Sequence, residues 1–144
     1  DVGAPVIAVL KDIDTPIRRG AIIGDGMAYS MKAMGAVGAV VDGNARDVPG
    51  IKGAGLGLWA TGRVPGHGPF SMIEHQIPIE VSGLTINPGD ILVCDGDGVT
   101  RVPIKIASDV VTACAEVRTK EKKMHTYFKS SDFSIEKWRS ETKN

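Results

Sequence analysis

The sequence predicts an α/β fold in which a βαβ unit is joined to short antiparallel hairpins. Two observations carry that prediction. Between Ala21 and Val41 an apolar run, a glycine turn, a helical stripe and a second apolar run follow one another, the order of a parallel crossover. Between Ile77 and Val102 short strand-length runs alternate with turn residues.

Taken in order, Val6 to Leu10 is an apolar run of strand length, broken by the polar stretch Lys11 to Pro16. Ala21-Ile22-Ile23 leads into Gly24-Asp25-Gly26, where two glycines around an acid allow a tight turn with exposed amides. Met27, Met31 and Met34 recur at the spacing of one helical face, and Gly35 suits the C-terminal cap of that helix. The strand Ala36 to Val41 follows and ends in Asp42, Arg46 and Asp47. The carboxyl ends of parallel strands are where open α/β sheets bind ligands, so this stretch is the leading site candidate. Asp42-Gly43 is expected to shape the turn after the strand. Val48 to Gly57 reads as loop, Leu56 to Ala60 as a brief apolar piece, and Gly62 to Pro69 as irregular chain with a solvated His67. Ile77 to Val81, Ile91 to Cys94 and Val99 to Val102 read as strands, with a turn at Asn87-Pro88-Gly89 and a type I′ hairpin turn at Asp97-Gly98. Ala107 to Lys120 reads as a helix with Val110, Cys114 and Val117 on one face. The residues from Met124 to Asn144 are expected to form a tail packed on its own domain (residues 1–123) or on a neighbouring subunit, because its aromatic groups need cover.

Composition narrows the function classes. The 144 residues suffice for one domain with its own core, and the hydrophobic content of 42% is that of a globular protein. Seventeen basic and 17 acidic residues give a formal net charge of zero, so no global field draws nucleic acid or an anionic membrane. The basic run Arg118, Lys120, Lys122 and Lys123 reads as a solvated helix end. Cys94 and Cys114 lie far apart without zinc spacing and are expected to be reduced, buried thiols in a cytoplasmic protein. No apolar segment approaches the ~20 residues of a membrane span.

Several motifs fail on spacing. Gly53-Ala-Gly55-Leu-Gly57 places Leu58 where a dinucleotide fingerprint needs its third glycine. Asp95-Gly96-Asp97-Gly98 puts its last glycine too early for a calcium loop. Ser30, Ser71 and Ser82 lack a nucleophile-elbow context. What remains is a pair of turns that adjacent strands should place side by side, Gly24 to Met27 at a helix start and Asp42 to Asp47. They offer amide donors, a guanidinium and carboxylates in one crevice. On the residues alone Asp25 serves equally as an N-cap worth ~1 kcal/mol, and Arg46 with Asp47 as a surface ion pair worth ~0.5 kcal/mol.

Asp25, twenty residues, then Arg46-Asp47, together with Val40-Val41-Asp42-Gly43, resembles the signature of the 4-hydroxy-4-methyl-2-oxoglutarate aldolase family, which shares its fold with regulator of ribonuclease activity A. Ile77-Pro78-Ile79, Asn87-Pro88-Gly89-Asp90 and Asp95 through Pro103 are similar to the family's second half. The resemblance implies a layered β/β/α sandwich of the swivelling-domain type, assembled as a homotrimer or homohexamer. It also implies a class II pyruvate aldolase that takes a small 2-oxo acid, uses magnesium or manganese in place of a lysine Schiff base, and leaves a pyruvate enolate; oxaloacetate decarboxylation fits the same chemistry. Carried onto this chain, Arg46 and Asp25 are catalytic, Gly26, Met27 and Arg46 bind substrate, and Asp47 holds the metal, with Asp25 ordering metal-bound water. Gly50 departs from the family, which has an acid there, and the family is longer at its N-terminus, so the chain is expected to start after that part. An acid from a neighbouring subunit, among Glu116, Glu121, Glu136 and Glu141, is expected to complete the site. The alternative implied is a non-catalytic protein that binds a ribonuclease; Asp25, which such regulators are not expected to keep, favours the enzyme. Methyl transfer, a label that such sequences carry, has no nucleotide-binding glycine turn to support it.

Overall fold

The computed structural model describes residues 5–69 and 71–141, without the side chain of Glu141. Two compact units divide the chain, Asp1–Val102 and Pro103–Asn144.

The first unit contains β1 (Val6–Lys11), β2 (Ala21–Ile23), α1 (Asp25–Ala33), β3 (Ala36–Ala45), α2 (Val48–Gly53) and β4 (Gly57–Arg63). Every strand paired with β3 runs parallel to it. β1 and β4 both pair with Gly38 to Val41 and so occupy opposite edges, while β2 continues the β1 edge at Asn44 and Ala45. This central position explains the composition of β3, which is apolar and small and is buried along nearly its whole length. Its residues Ala36, Ala39, Val41 and Ala45 join Ile23, Ala28, Ile51 and Leu56 in one core cluster. The crossover from β2 through α1 to β3 is the expected βαβ unit. Met27 and Met31 pack against the core, whereas Met34 is 76% exposed because α1 ends at Ala33 and Gly35 turns the chain at φ +95°.

The segments expected to be irregular around the site are more ordered than their composition suggests. β3 continues past Val41 to Ala45, so Asp42 and Gly43 lie within the strand and not in a turn. A register shift between Val41 and Asn44 accommodates them. A side chain at Gly43 would stand 2.9 Å from Ile22 Cδ1. Asp42 instead anchors its neighbours: its carboxylate accepts a hydrogen bond from Arg18 Nη2 at 3.1 Å and lies 3.8 Å from Lys11 Nζ. The expected loop after Asp47 contains α2, which tolerates Pro49 because the first helical turn needs no N–H there, and which buries Ile51. β4 extends to Arg63, drawn on by its pairing with Asn44 and Ala45.

Two antiparallel hairpins complete this unit, β5 (Ile79–Val81) with β6 (Leu84–Ile86) and β7 (Ile91–Cys94) with β8 (Val99–Val102). β6 was not expected, and its turn, Ser82-Gly83, has left-handed φ at both residues (48° and 83°). Asp97-Gly98 does join a hairpin, but not through a type I′ turn: only Gly98 has positive φ (143°). Asp95 organises that loop by accepting the Asp97 and Gly98 amides at 2.9 and 3.2 Å. Trp59 Nε1 donates to the Asp95 carbonyl at 2.8 Å and ties this loop to β4.

Between the hairpins, the Asn87 amide donates to Asp90 Oδ2 at 2.7 Å, and Arg101 Nη1 lies 3.4 Å from the same oxygen. The Asn87 amide, chiefly, holds the Asp90 carboxyl below its ordinary range, with the Asn87 side chain and Arg101 adding to the effect against partial desolvation. A depressed folded-state value stabilises the fold above the ordinary aspartate range and is lost as pH falls through the folded value. Melting temperature measured against pH in the acid range is therefore expected to fall less steeply for Asp90→Asn than for the wild type. Cys94 is only partly buried, and burial followed by the Asp95 charge pushes its thiol up. Cys114, expected to be buried, is exposed on its helix.

The second unit has a 3-10 turn (Ile104–Ile106), α3 (Ala107–Phe128) and α4 (Ile135–Glu141). α3 runs beyond the expected end at Lys120. The aromatic residues of the tail touch one another, Phe133 meeting Tyr127 and Phe128 edge-on and Phe128 meeting Trp138, each at 5.6 Å between ring centres, yet Phe128 and Phe133 stay exposed. Among the described residues no helix is long and apolar enough to cross a membrane.

Candidate active site

Parallel pairing brings the two candidate turns together. Arg46, just past β3, donates its amide to the Ile23 carbonyl at the end of β2 at 3.0 Å, which extends the ladder beyond both strands. That bond sets Gly24 and Asp25 beside Arg46 and Asp47. The backbone then turns sharply at Asp47 (φ 51°, ψ 38°), a left-handed conformation that aspartate tolerates better than most residues, and α2 starts there. Arg46 Nε and Asp47 Oδ2 form an ion pair at 3.3 Å with both side chains partly open to solvent.

Two glycines form the floor of this arrangement. A methyl group on Gly24 would stand 3.2 Å from both Arg46 Nε and Asp47 Oδ2, so the ion pair lies directly over its backbone. A methyl group on Gly50 would stand 2.7 Å from Asp25 Cβ and 2.9 Å from its Oδ2. The first turn of α2 thus backs onto the Asp25 side chain, and no acid fits at Gly50 unless α2 moves away from α1. Sequence reading noted Gly50 only as a departure from a pattern. The Asp25 side chain fills the space that a side chain at position 50 would enter.

Asp25 Oδ1 accepts the Gly26 amide at 2.7 Å. Gly26 is therefore engaged by its own neighbour and is not open to a substrate carboxylate in this conformation, whereas the Met27 amide in the first helical turn has no acceptor within its helix. Asp25 and Asp47 are hard oxygen donors. Among the described residues no group of three or more His, Cys, Asp or Glu side chains converges to cage a metal. Magnesium nevertheless needs no such cage, since it retains several waters and is commonly held by one or two carboxylates plus substrate oxygens. The donor set fits that mode.

An open depression of ≈ 430 Å³ adjoins the ion pair, lined by Arg46, Asp47 and Pro49 together with Arg63, Val64 and Pro65. Asp25, Gly26 and Met27 do not line it. The Val64 amide donates to the Ala45 carbonyl at 3.1 Å, which fixes the end of β4 beside Arg46. Arg63 is the residue that sequence reading missed. Once β4 is recognised as a parallel neighbour of β3, its last residue must reach the same sheet edge.

A family model described as RraA-like, Aldolase/RraA, matches residues 2–101. A Halalkalibacterium halodurans protein provisionally named a 4-hydroxy-4-methyl-2-oxoglutarate aldolase is 36% identical over 84 residues, covering 58% of this chain and 40% of that protein. Among solved structures, an uncharacterized protein from Pseudomonas syringae superposes with a TM-score of 0.76 at 29% identity, covering 94% of this chain and 68% of the other. Streptomyces coelicolor RraAS2, described as an unusual member of the RNase ES inhibitor RraA protein family, gives a TM-score of 0.71 at 27% identity, covering 83% of this chain and 61% of the other. The chain spans half or less of the length of the curated relatives it resembles: 17%, 50% and 40%. With the match over residues 2–101 and the α/β fold in agreement, the chain belongs to the RraA-like family.

Proposed function

We propose that this chain is a divalent-metal-dependent lyase that cleaves a 4-hydroxy-2-oxo dicarboxylic acid, such as 4-hydroxy-4-methyl-2-oxoglutarate, with oxaloacetate decarboxylation as a related activity. The observation that carries the reading is the Arg46–Asp47 ion pair set over Gly24 with Asp25 alongside. The provisional aldolase name of one relative supports it.

Asp47 would hold magnesium or manganese, and Asp25 would order water at the ion. When bound, the ion supplies Lewis-acid polarisation of the 2-oxo group. Arg46 is held in place by Asp47, and its guanidinium donates to the 2-oxo oxygen, where negative charge grows as the bond between C3 and C4 breaks. The Met27 amide receives the adjacent carboxylate at the positive end of α1. The Gly26 amide can join it only if Asp25 turns away. The proton of the 4-hydroxyl leaves through a water held by Asp25, C4 becomes a carbonyl, and the bond pair passes to the pyruvate enolate. Protonation at C3 then gives pyruvate; from 4-hydroxy-4-methyl-2-oxoglutarate both products are pyruvate. Assembly as a trimer or a dimer of trimers, an acid from a neighbouring subunit, a β/β/α layering and a cytoplasmic setting belong to the same reading.

A second reading, binding and restraint of a ribonuclease, is favoured by the description of RraAS2. The two separate in one comparison. Pyruvate release from a panel of 2-oxo acids, coupled to NADH oxidation, is expected with magnesium or manganese. Tight capture of a ribonuclease, with no turnover of any 2-oxo acid, would reverse the order.

A further inference from the structure

We infer that Arg63 is the residue that selects a dicarboxylic substrate, by pairing with the carboxylate farthest from the 2-oxo group. The inference rests on the lyase reading for the identity of the ligand, and on separate geometry for the residue. Arg63 ends β4 and is the register partner of Ala45, the residue before Arg46. Neighbouring strands lie about 4.8 Å apart, so the two arginines rise from adjacent positions on one sheet edge and line one depression. Their electrostatic circumstances differ. The charge of Arg46 is offset by Asp47 at 3.3 Å, whereas Arg63 is exposed and its side chain makes no ion pair among the described residues. The lining therefore holds two cations and one anion. This leaves one positive charge for an anionic ligand.

A 4-hydroxy-2-oxo dicarboxylic acid matches that surplus. Its 2-oxo end engages Arg46 and the Met27 amide, and its second carboxylate is left without a partner unless a cation stands across the depression. A guanidinium there can donate two parallel hydrogen bonds to a carboxylate, which adds direction as well as charge. Val64 and Pro65 next to it are apolar and offer no competing acceptor side chain. Arg63 thus acts as a specificity residue: it contacts substrate remote from the bond that breaks and discriminates through binding.

Calorimetric titration of the full chain, with magnesium present, tests this without turnover. The probes are 2-oxoglutarate and 2-oxopentanoate, which share the 2-oxo acid end and differ in a terminal carboxylate. Arg63→Gln is expected to weaken 2-oxoglutarate about 30-fold and leave 2-oxopentanoate within about 2-fold, with Arg63→Lys falling between wild type and Arg63→Gln. Equal weakening of both ligands, no change in either, or failure of the wild type to prefer 2-oxoglutarate would overturn the inference. Selective loss of 2-oxoglutarate binding in a protein that cleaves no 4-hydroxy-2-oxo acid would sustain it while overturning the lyase reading.

Discussion

Replacing Asp47 by asparagine is expected to lower kcat/KM for pyruvate release by about 10³-fold, the scale at which a group stabilising developing charge is lost. Asparagine is the informative variant because it tolerates the left-handed backbone at this position (φ 51°), whereas alanine adds about 1–2 kcal/mol of conformational cost to the chemical loss. The Arg46–Asp47 ion pair is partly exposed, so its removal should change stability by less than about 1 kcal/mol. Activity and stability are thereby separated. Thermal melts that nearly superpose, alongside the loss of turnover, are the expected pair of results. A Asp47→Asn protein that unfolds much earlier than the wild type would mark the residue as structural instead.

Gly50→Ala is expected to cost about 10²-fold in kcat/KM although the substituted residue touches no substrate. The added methyl would stand 2.7 Å from Asp25 Cβ, close to the root of that side chain, where rotation cannot relieve the contact. α2 and α1 must part, and a displacement of about 1 Å at a reacting group costs about 10²-fold. Overpacking also destabilises by about 1–3 kcal/mol, offset by the ~0.5–1 kcal/mol that alanine gains over glycine within a helix. Because the rate effect acts through Asp25, it should shrink in an Asp25→Ala background. Steady-state kinetics of the four proteins in that double-mutant cycle measure the coupling, and fully additive losses would show that Gly50 acts by another route.

The sheet edge that carries the site was legible because its signals are local. Ala21 to Val41 combined an apolar run, glycine punctuation and a helical stripe, and these require a crossover. Asp25, Arg46 and Asp47 then followed from strand adjacency and from a pattern that resembles a known family. Less legible were features set by tertiary contact. Asp42-Gly43 has turn composition, yet it remains in β3 because the β4 edge continues and Ile22 fills the space beside Gly43. α2 was hidden by glycine and proline, whose low helix propensity is overridden by the burial of Ile51. Arg63 was hidden for a related reason: Thr61-Gly62-Arg63 carries no strand signal by itself and becomes a strand through pairing with Asn44 and Ala45. The occupation of the Gly26 amide by Asp25 depends on a rotamer that no spacing rule specifies.

Pyruvate release from 4-hydroxy-4-methyl-2-oxoglutarate by the full chain, followed before chelation, after EDTA and after magnesium is restored, is the most direct test of a metal-dependent lyase centred on Arg46 and Asp47. Turnover that disappears with EDTA and returns with magnesium in the wild type, but recovers to only about a thousandth of that level in Asp47→Asn, is the expected result. Release that is indifferent to the metal, or that proceeds at the wild-type rate in Asp47→Asn, would contradict it.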